Sequence, residues 1–137
     1  IVILGGGIVG CETAEFLVKD GNKVTIIEML PKAAQDMEPI NRRTLLDELE
    51  ECKVTILTRQ KVVEVTDGGA VIADTTGGKR QLITADQVVV ALGSAPVRGL
   101  AGALEGKVDE LYLIGDCQQT RTILEAVADG FLIGHKI

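Results

Sequence analysis

The feature that most constrains this chain is the placement of Gly5, Gly7 and Gly10 at the spacing G-x-G-x-x-G, directly behind the branched apolar run Ile1 to Leu4. Such a run suits a buried parallel strand, and glycines immediately after it suit a tight turn into a helix. Gly5 permits the turn, Gly7 admits a close approach of backbone to a pyrophosphate, and Gly10 lets the helix lie close to the strand. An anion over the turn meets unpaired N–H groups and the positive end of the helix dipole. Gly5, Gly7, Ile8, Val9 and Gly10 are therefore candidate cofactor-binding residues. Glycine spacing of this kind also arises by chance, and more readily in a chain with 16 Gly among 137 residues, so the neighbouring residues decide.

From Ile8 to Lys19 the apolar residues Ile8, Cys11, Ala14, Leu17 and Val18 recur three or four apart, with Glu12, Glu15 and Lys19 on other faces, which predicts an amphipathic helix. Asp20-Gly21-Asn22 stops it, and Lys23 to Ile27 reads as the next strand. Glu28 follows at its carboxyl end, 23 residues after Gly5. In a βαβ unit that register places a carboxylate beside the glycine turn, within reach of a ribose 2′-hydroxyl. Strand, glycines, helix, strand and acid in register point to dinucleotide binding. The negative charge of Glu28 would repel a 2′-phosphate, so NAD(H) is expected over its phosphorylated form. Lys32 is read as a surface lysine.

Met29 to Pro39 carries two prolines and no clean period, which predicts a loop with at most one helical turn at Lys32 to Gln35. Pro39 suits the first position of a helix from about Ile40 to Glu51, with Ile40, Thr44, Leu45 and Leu49 toward the sheet and the acidic cluster Asp47, Glu48, Glu50 and Glu51 toward solvent. Val54 to Leu57 is the third parallel strand. Three short β-rich runs, 61–66 (alternating around Val63 and Val65), 70–74 and 79–84, are separated by Gly-containing turns, as in hairpins. They form an antiparallel meander where a plain doubly wound domain would place a crossover helix. Gln87 to Leu92 reads as a central parallel strand ended by Gly93-Ser94-Ala95-Pro96, and Gly93 is a further candidate cofactor-binding residue. Residues 97–109 read as a connecting loop, Leu111 to Ile114 as a short strand, and Thr120 to Lys136 as a helix. The fold class is therefore α/β: a Rossmann-like doubly wound parallel sheet with an antiparallel β-meander crossover. Strand 111–114 is expected to dock beside strand 87–92 and extend the sheet.

With Phe16, Tyr112 and Phe131 as the only aromatics, the core must be built from Val, Ile, Leu and Ala. The net charge of −6 and the pI near 4.8 argue against nucleic acid or an anionic membrane surface as partner. No apolar run is long enough for a membrane span. Cys11, Cys52 and Cys117 form no C-x-x-C pair; Cys11 reads as a buried apolar residue and Cys52 as a surface thiol, so a reducing cytoplasm is the expected compartment. His135 stands alone near the end of the chain and reads as a surface residue, and the acidic helix face has no histidine beside it to make a metal site. The chain opens inside a strand without a methionine, which reads as a piece of a longer protein.

Gly5 to Ala14 (GGGIVGCETA), the strand ending in Glu28, Gln87 to Pro96 (QVVVALGSAP), Tyr112 to Cys117 (YLIGDC) and Arg121 to Gly130 (RTILEAVADG) together resemble the C-terminal portion of flavoprotein oxidoreductases with two dinucleotide-binding halves. The likeness is greatest to the NADH:flavin oxidoreductases that include dienoyl-CoA reductase and enoate reductase. In that family the glycine motif of the nicotinamide half continues as G-x-E-x-A, matched by Gly10 to Ala14. The resemblance thus implies a role for Glu12 near the nicotinamide. It also implies that Gly115-Asp116 corresponds to the pair whose acid holds the ribityl chain of FAD. On this likeness residues 1–96 are an NAD(H)-binding domain and 97–137 a linker with the C-terminal strand–helix remnant of an FAD-binding domain. The implied partners are upstream flavin-binding domains of the same protein, with FAD as the cofactor of the complete enzyme.

Three functions stay open at this point. The first is an NAD(H)-binding domain that positions NADH for hydride transfer to a flavin. The second is the equivalent part of a pyridine-nucleotide disulfide reductase or NADH oxidase. The third is a non-catalytic nucleotide-binding or scaffold domain. None of them requires a catalytic acid–base pair within these residues, because hydride transfer is the chemistry of the cofactors.

Overall fold

In the computed structural model, which describes all residues 1–137, the chain divides into two units, Ile1–Leu92 and Gly93–Ile137. The first contains, in chain order, β1 (Val2–Leu4), α1 (Ile8–Lys19), β2 (Thr25–Ile27), α2 (Pro39–Glu51), β3 (Thr55–Leu57), β4 (Gln60–Thr66), β5 (Gly69–Asp74), β6 (Gln81–Thr84) and β7 (Val88–Val90). Strands β3, β2, β1 and β7 lie in that order in one parallel sheet, and β4, β5 and β6 form a separate antiparallel sheet. This is the Rossmann-like arrangement with a meander that the hydrophobic pattern predicts.

Period-two alternation in β1 assigns the two faces. Ile3 and Ile26 point to one side, where Cys11 and Ala14 of α1 and Leu45 and Leu49 of α2 cover them. Val2, Leu4 and Ile27 point to the other, against Ala70 and Ile72 of β5. Both faces of β1 are dry, so the strand reads as an unbroken apolar run. Helix α1 ends as expected: Gly21 takes φ +85°, and the N–H groups of Gly21 and Asn22 return to the carbonyls of Val18 and Leu17. Pro39 stands at the first helical position of α2, and the preceding Glu38 caps it by accepting from the Ile40 and Asn41 N–H groups.

Several local expectations are corrected. No helical turn forms over 32–35; the loop instead bends at Ala34, which adopts φ +48°. Ile40 and Thr44 are exposed, because the buried stripe of α2 starts one turn later at Leu45. The alternation around Val63 is broken by a bulge between Val62 and Glu64, so Val62 packs inward opposite Ile72 while Val63 is the exposed extra residue; Val65, opposite Ala70, is exposed as well.

The second unit contains α3 (Gly99–Leu104), a 3₁₀ turn (Gly115–Cys117) and α4 (Ile123–Gly134). The segment 97–109 is thus not a plain loop. Residues 111–114 belong to no strand and do not extend the parallel sheet, which ends at β7. Four apolar residues form a strand only where their N–H and C=O groups find a ladder, and here the run is caught between an acidic loop and the 3₁₀ turn. Polar contacts hold this unit together. Arg98 donates to the carbonyls of Cys117 and Gln118 at 3.0 and 2.5 Å, and the Thr120 hydroxyl to the Ser94 carbonyl at 3.0 Å. Asp129 accepts from the Gly115 N–H at 3.0 Å and pairs with Arg121. Helix α4 starts at Ile123 rather than Thr120 because Thr122 and Glu125 form a reciprocal capping box. Its apolar residues stay exposed, Ile123 at 83% and Leu124 at 74%.

Leu49 is fully buried between α2 and the sheet, whereas Ile40 is 74% exposed on the same helix. Leu49→Ala is expected to cost about 2–5 kcal/mol, and Ile40→Ala to fall within about 0.5 kcal/mol of the parent. Urea denaturation followed by far-UV circular dichroism measures both.

Candidate functional site

Glycine at the β1–α1 turn is required by contact as well as by conformation. Gly5 has φ +103°, and a Cβ there would lie 2.3 Å from the carbonyl oxygen of Ala91, just beyond β7. A Cβ on Gly10 would lie 1.9 Å from the Gly5 carbonyl oxygen, so the first turn of α1 presses on the backbone that precedes it. Gly6, outside the G-x-G-x-x-G positions, is constrained less severely and by side chains: its Cβ would stand 3.0 Å from that of Glu28 and 3.2 Å from Ile26.

Glu28 is the one buried charged side chain, 7% exposed, and backbone amides satisfy both of its oxygens. The Gly6 N–H donates to Oε2 at 2.7 Å and the Leu30 N–H to Oε1 at 2.6 Å. Its main chain is fixed as well, with Glu28 N–H donating to the Leu57 carbonyl and Gln60 N–H to that of Glu28. The end of β2 and the glycine turn are thereby one rigid piece. A carboxylate offers about four acceptor positions, so those not used by Gly6 and Leu30 remain for hydroxyl donors.

The first intrahelical bond of α1 runs from Cys11 N–H to the Gly7 carbonyl, which leaves the amides of Ile8, Val9 and Gly10 pointing out of the helix end. The Asp36 carboxylate lies over that end. The Ile8 N–H donates to it at 3.0 and 3.1 Å, and a Cβ on Gly7 would meet its Oδ2 at 3.2 Å. The loop bearing Asp36 is tied down by the Ala34 N–H, which donates to the Gly6 carbonyl at 2.6 Å.

Cys11 lies beneath the turn, fully buried, its thiol 3.5 Å from the Gly6 carbonyl. Burial, with the negative charges of Asp36 and Glu28 nearby, pushes its pKa up to about 11. It is a core residue and not a thiolate nucleophile. Cys52 and His135 are exposed, as expected.

Of the candidate site residues, Gly5, Gly7, Ile8, Val9, Gly10 and Glu28 meet at the carboxyl ends of β1 and β2. Glu12 stands one turn into α1 with its side chain in solvent. Gly93 and Asp116 belong to the second unit. Gly93 has φ +89°; Asp116 is exposed in the 3₁₀ turn, its Oδ1 3.5 Å from the Arg121 amide nitrogen. Lys32 borders an open groove of about 360 Å³ together with Arg42 and Leu46. Arg42 is remote in sequence, and its Nε is bound to the Ala33 carbonyl at 2.8 Å. The pattern of the sequence misses Gly6 and Asp36. The triplet Gly5-Gly6-Gly7 carried a signal for the first, whereas Asp36, in a loop without period, carried none.

No helix is long and apolar enough to cross a membrane, and no cluster of His, Cys, Asp and Glu has the makings of a metal site. Residues 1–130 match the family described as pyridine nucleotide-disulphide oxidoreductase. Over 138 aligned residues the chain is 40% identical to an NADH oxidase of Thermoanaerobacter brockii, covering 100% of this chain and 21% of that protein. It is 36% identical to a bilirubin reductase of Mediterraneibacter gnavus, covering 98% of this chain and again 21% of the relative. Among solved structures, a 2-naphthoyl-CoA reductase complex superposes with a TM-score of 0.83 at 32% identity, over 99% of this chain and 21% of that one. The chain therefore spans about a fifth of the length of these relatives.

Two outcomes test this geometry. Gly10→Ala forces a shift of backbone against backbone and is expected to cost about 1–3 kcal/mol or more in denaturant unfolding. At pH 8, well below its pKa of about 11, Cys11 should resist iodoacetamide in the folded protein while Cys52 reacts, and unfolding should abolish the difference, as read by peptide mass mapping.

Proposed function

The chain belongs to the pyridine nucleotide-disulphide oxidoreductase family, and from that membership we propose that its first unit binds NAD(H) and positions the dinucleotide for hydride exchange with a flavin held elsewhere in the complete protein. The observation that carries this reading is the coupling of Glu28 to the glycine turn through the Gly6 N–H, which places a ribose acceptor and an anion cradle side by side. The residues fit the ligand. Side-chain-free backbone at Gly7, the outward amides of Ile8, Val9 and Gly10, and the α1 dipole suit a pyrophosphate. The unused acceptor positions of Glu28 suit ribose hydroxyls. Bound nicotinamide supplies the hydride chemistry; these residues supply binding and orientation.

By the same proposal residues 1–96 are the nicotinamide half, with Glu12 toward the nicotinamide end and Gly93 closing the last strand, and residues 97–137 are the remnant of an FAD half, with Asp116 toward the ribityl chain. Asp116 alone does not make a flavin site, since one hydrogen bond to a charged group is worth about 1.5–3 kcal/mol. FAD binding is assigned to the complete protein, with upstream flavin domains as partners. A reductase acting on an activated alkene, of the dienoyl-CoA and enoate reductase kind, is the preferred whole-protein activity; the likeness to a 2-naphthoyl-CoA reductase supports it. The identity to an NADH oxidase favours a second reading, in which the chain is the corresponding part of a pyridine-nucleotide disulfide reductase or NADH oxidase.

Titration with NADH and NADPH, followed by nicotinamide fluorescence, tests the binding reading. NADH is expected to bind at least about tenfold more tightly, a difference of about 1.4 kcal/mol, because the Glu28 carboxylate repels a 2′-phosphate. Glu28→Ala should weaken NADH binding by about ten- to a hundredfold. Equal affinities for the two nucleotides would remove the assignment of Glu28 to the ribose.

A further inference from the structure

We infer that Asp36 is a built-in competitor for the pyrophosphate site, an affinity-setting carboxylate that the dinucleotide must displace; this rests on the reading of the glycine turn as the cradle. Its carboxylate already engages the amide that a bound phosphate oxygen would use, with the Ile8 N–H donating to it at 3.0 and 3.1 Å. Its Oδ2 also fills the space above Gly7 that the missing side chain leaves open. Ligand and side chain have the same charge sign, the same donor and the same place, so they exclude each other.

The structure also shows how the carboxylate is delivered and why it can leave. The loop between β2 and α2 folds over the turn, fixed at one end by Leu30 N–H on Glu28 and near its middle by Ala34 N–H on the Gly6 carbonyl. Two residues beyond that anchor, Asp36 is solvent-exposed, and none of the ion pairs in the structure includes it. A rotation of one side chain therefore frees the Ile8 amide without undoing either anchor. Glu28 is the contrasting case, buried and bound through both oxygens, and it stays when ligand arrives. In the empty protein Asp36 stabilises the end of α1 in the manner of any acid at a helix N-terminus. The dinucleotide has to overcome that interaction.

The test compares the parent protein with Asp36→Asn and Asp36→Ala by isothermal titration with NADH and, separately, with adenosine, which lacks the pyrophosphate. Both variants should bind NADH about three- to tenfold more tightly than the parent, with adenosine affinity unchanged. The gain should shrink when salt is raised to about 0.5 M, because the repulsion from an exposed carboxylate is screened. Unchanged or weaker NADH binding in both variants, with the parent still binding NADH, overturns the role of Asp36 and leaves the proposed function standing. A gain that is equal for adenosine, or insensitive to salt, overturns it too, since it would reflect a looser loop rather than a removed competitor. Failure of the parent and both variants to bind NADH at all removes the proposed function, and this inference with it.

Discussion

The buried carboxylate of Glu28 is the interaction on which the first unit depends. A charge taken out of water is costly unless its hydrogen-bonding capacity is used, and here two backbone amides use it at 2.7 and 2.6 Å. These donors come from the two segments that must be held together, the turn after β1 and the loop after β2. Hydrogen bonds from N–H to a carboxylate are among the stronger ones available to a protein. The bond to Gly6 fixes the turn, the turn aims α1, and α1 buries Cys11 and Ala14 against Ile3 and Ile26. Gly6 keeps room for the approach of Glu28, whereas Gly5 and Gly10 answer to backbone contacts of the same turn, with the Ala91 and Gly5 carbonyl oxygens 2.3 and 1.9 Å from where a Cβ would stand.

Much of this was legible in the sequence because it is periodic or stereochemically compelled. The bounds of α1 follow from apolar residues at three- and four-residue spacing and from Asp20-Gly21-Asn22; Pro39 marks the start of α2; glycine turns separate the strands of the meander. The errors fall where local pattern carries no information about partners. Leu111 to Ile114 has the composition of a strand, but a strand is a property of two segments, and this one has no ladder. The bulge at Val63 reverses the face of the residues beyond it through one extra residue that alternation does not disclose. Asp36 reaches Ile8 across 28 positions by way of a positive φ at Ala34, and no periodicity records such a contact.

The two units are stabilised by different physics. The first has a core on both faces of its parallel sheet. In the second, neither helix contributes a buried residue, and order comes from Arg98 on two carbonyls, Asp129 on Gly115 and Arg121, and the capping box of α4. Apart from the half-buried contacts of Asp129, these involve exposed groups, and each is worth on the order of 1 kcal/mol against water. A helix capped at its start by Thr122 and Glu125 and apolar along its length is specified locally, by its own sequence, more than by burial.

The charge of the cradle follows from the same local logic. On the proposed reading a chain with net charge −6 holds a doubly anionic pyrophosphate, yet no Lys or Arg belongs to the glycine turn or to the first turn of α1. Attraction there has to come from fixed peptide dipoles, which act at short range and weaken within a turn of the helix end. Two carboxylates stand beside those dipoles with opposite consequences. Glu28 points its oxygens into the backbone and leaves the helix amides open, whereas Asp36 points directly at one of them. A site built from dipoles instead of cations is discriminating for this reason: a misplaced anion gains little from a diffuse field, and one seated on the outward amides gains directional hydrogen bonds. It also makes the site sensitive to one neighbouring acid, because Asp36 belongs to none of the ion pairs of the structure.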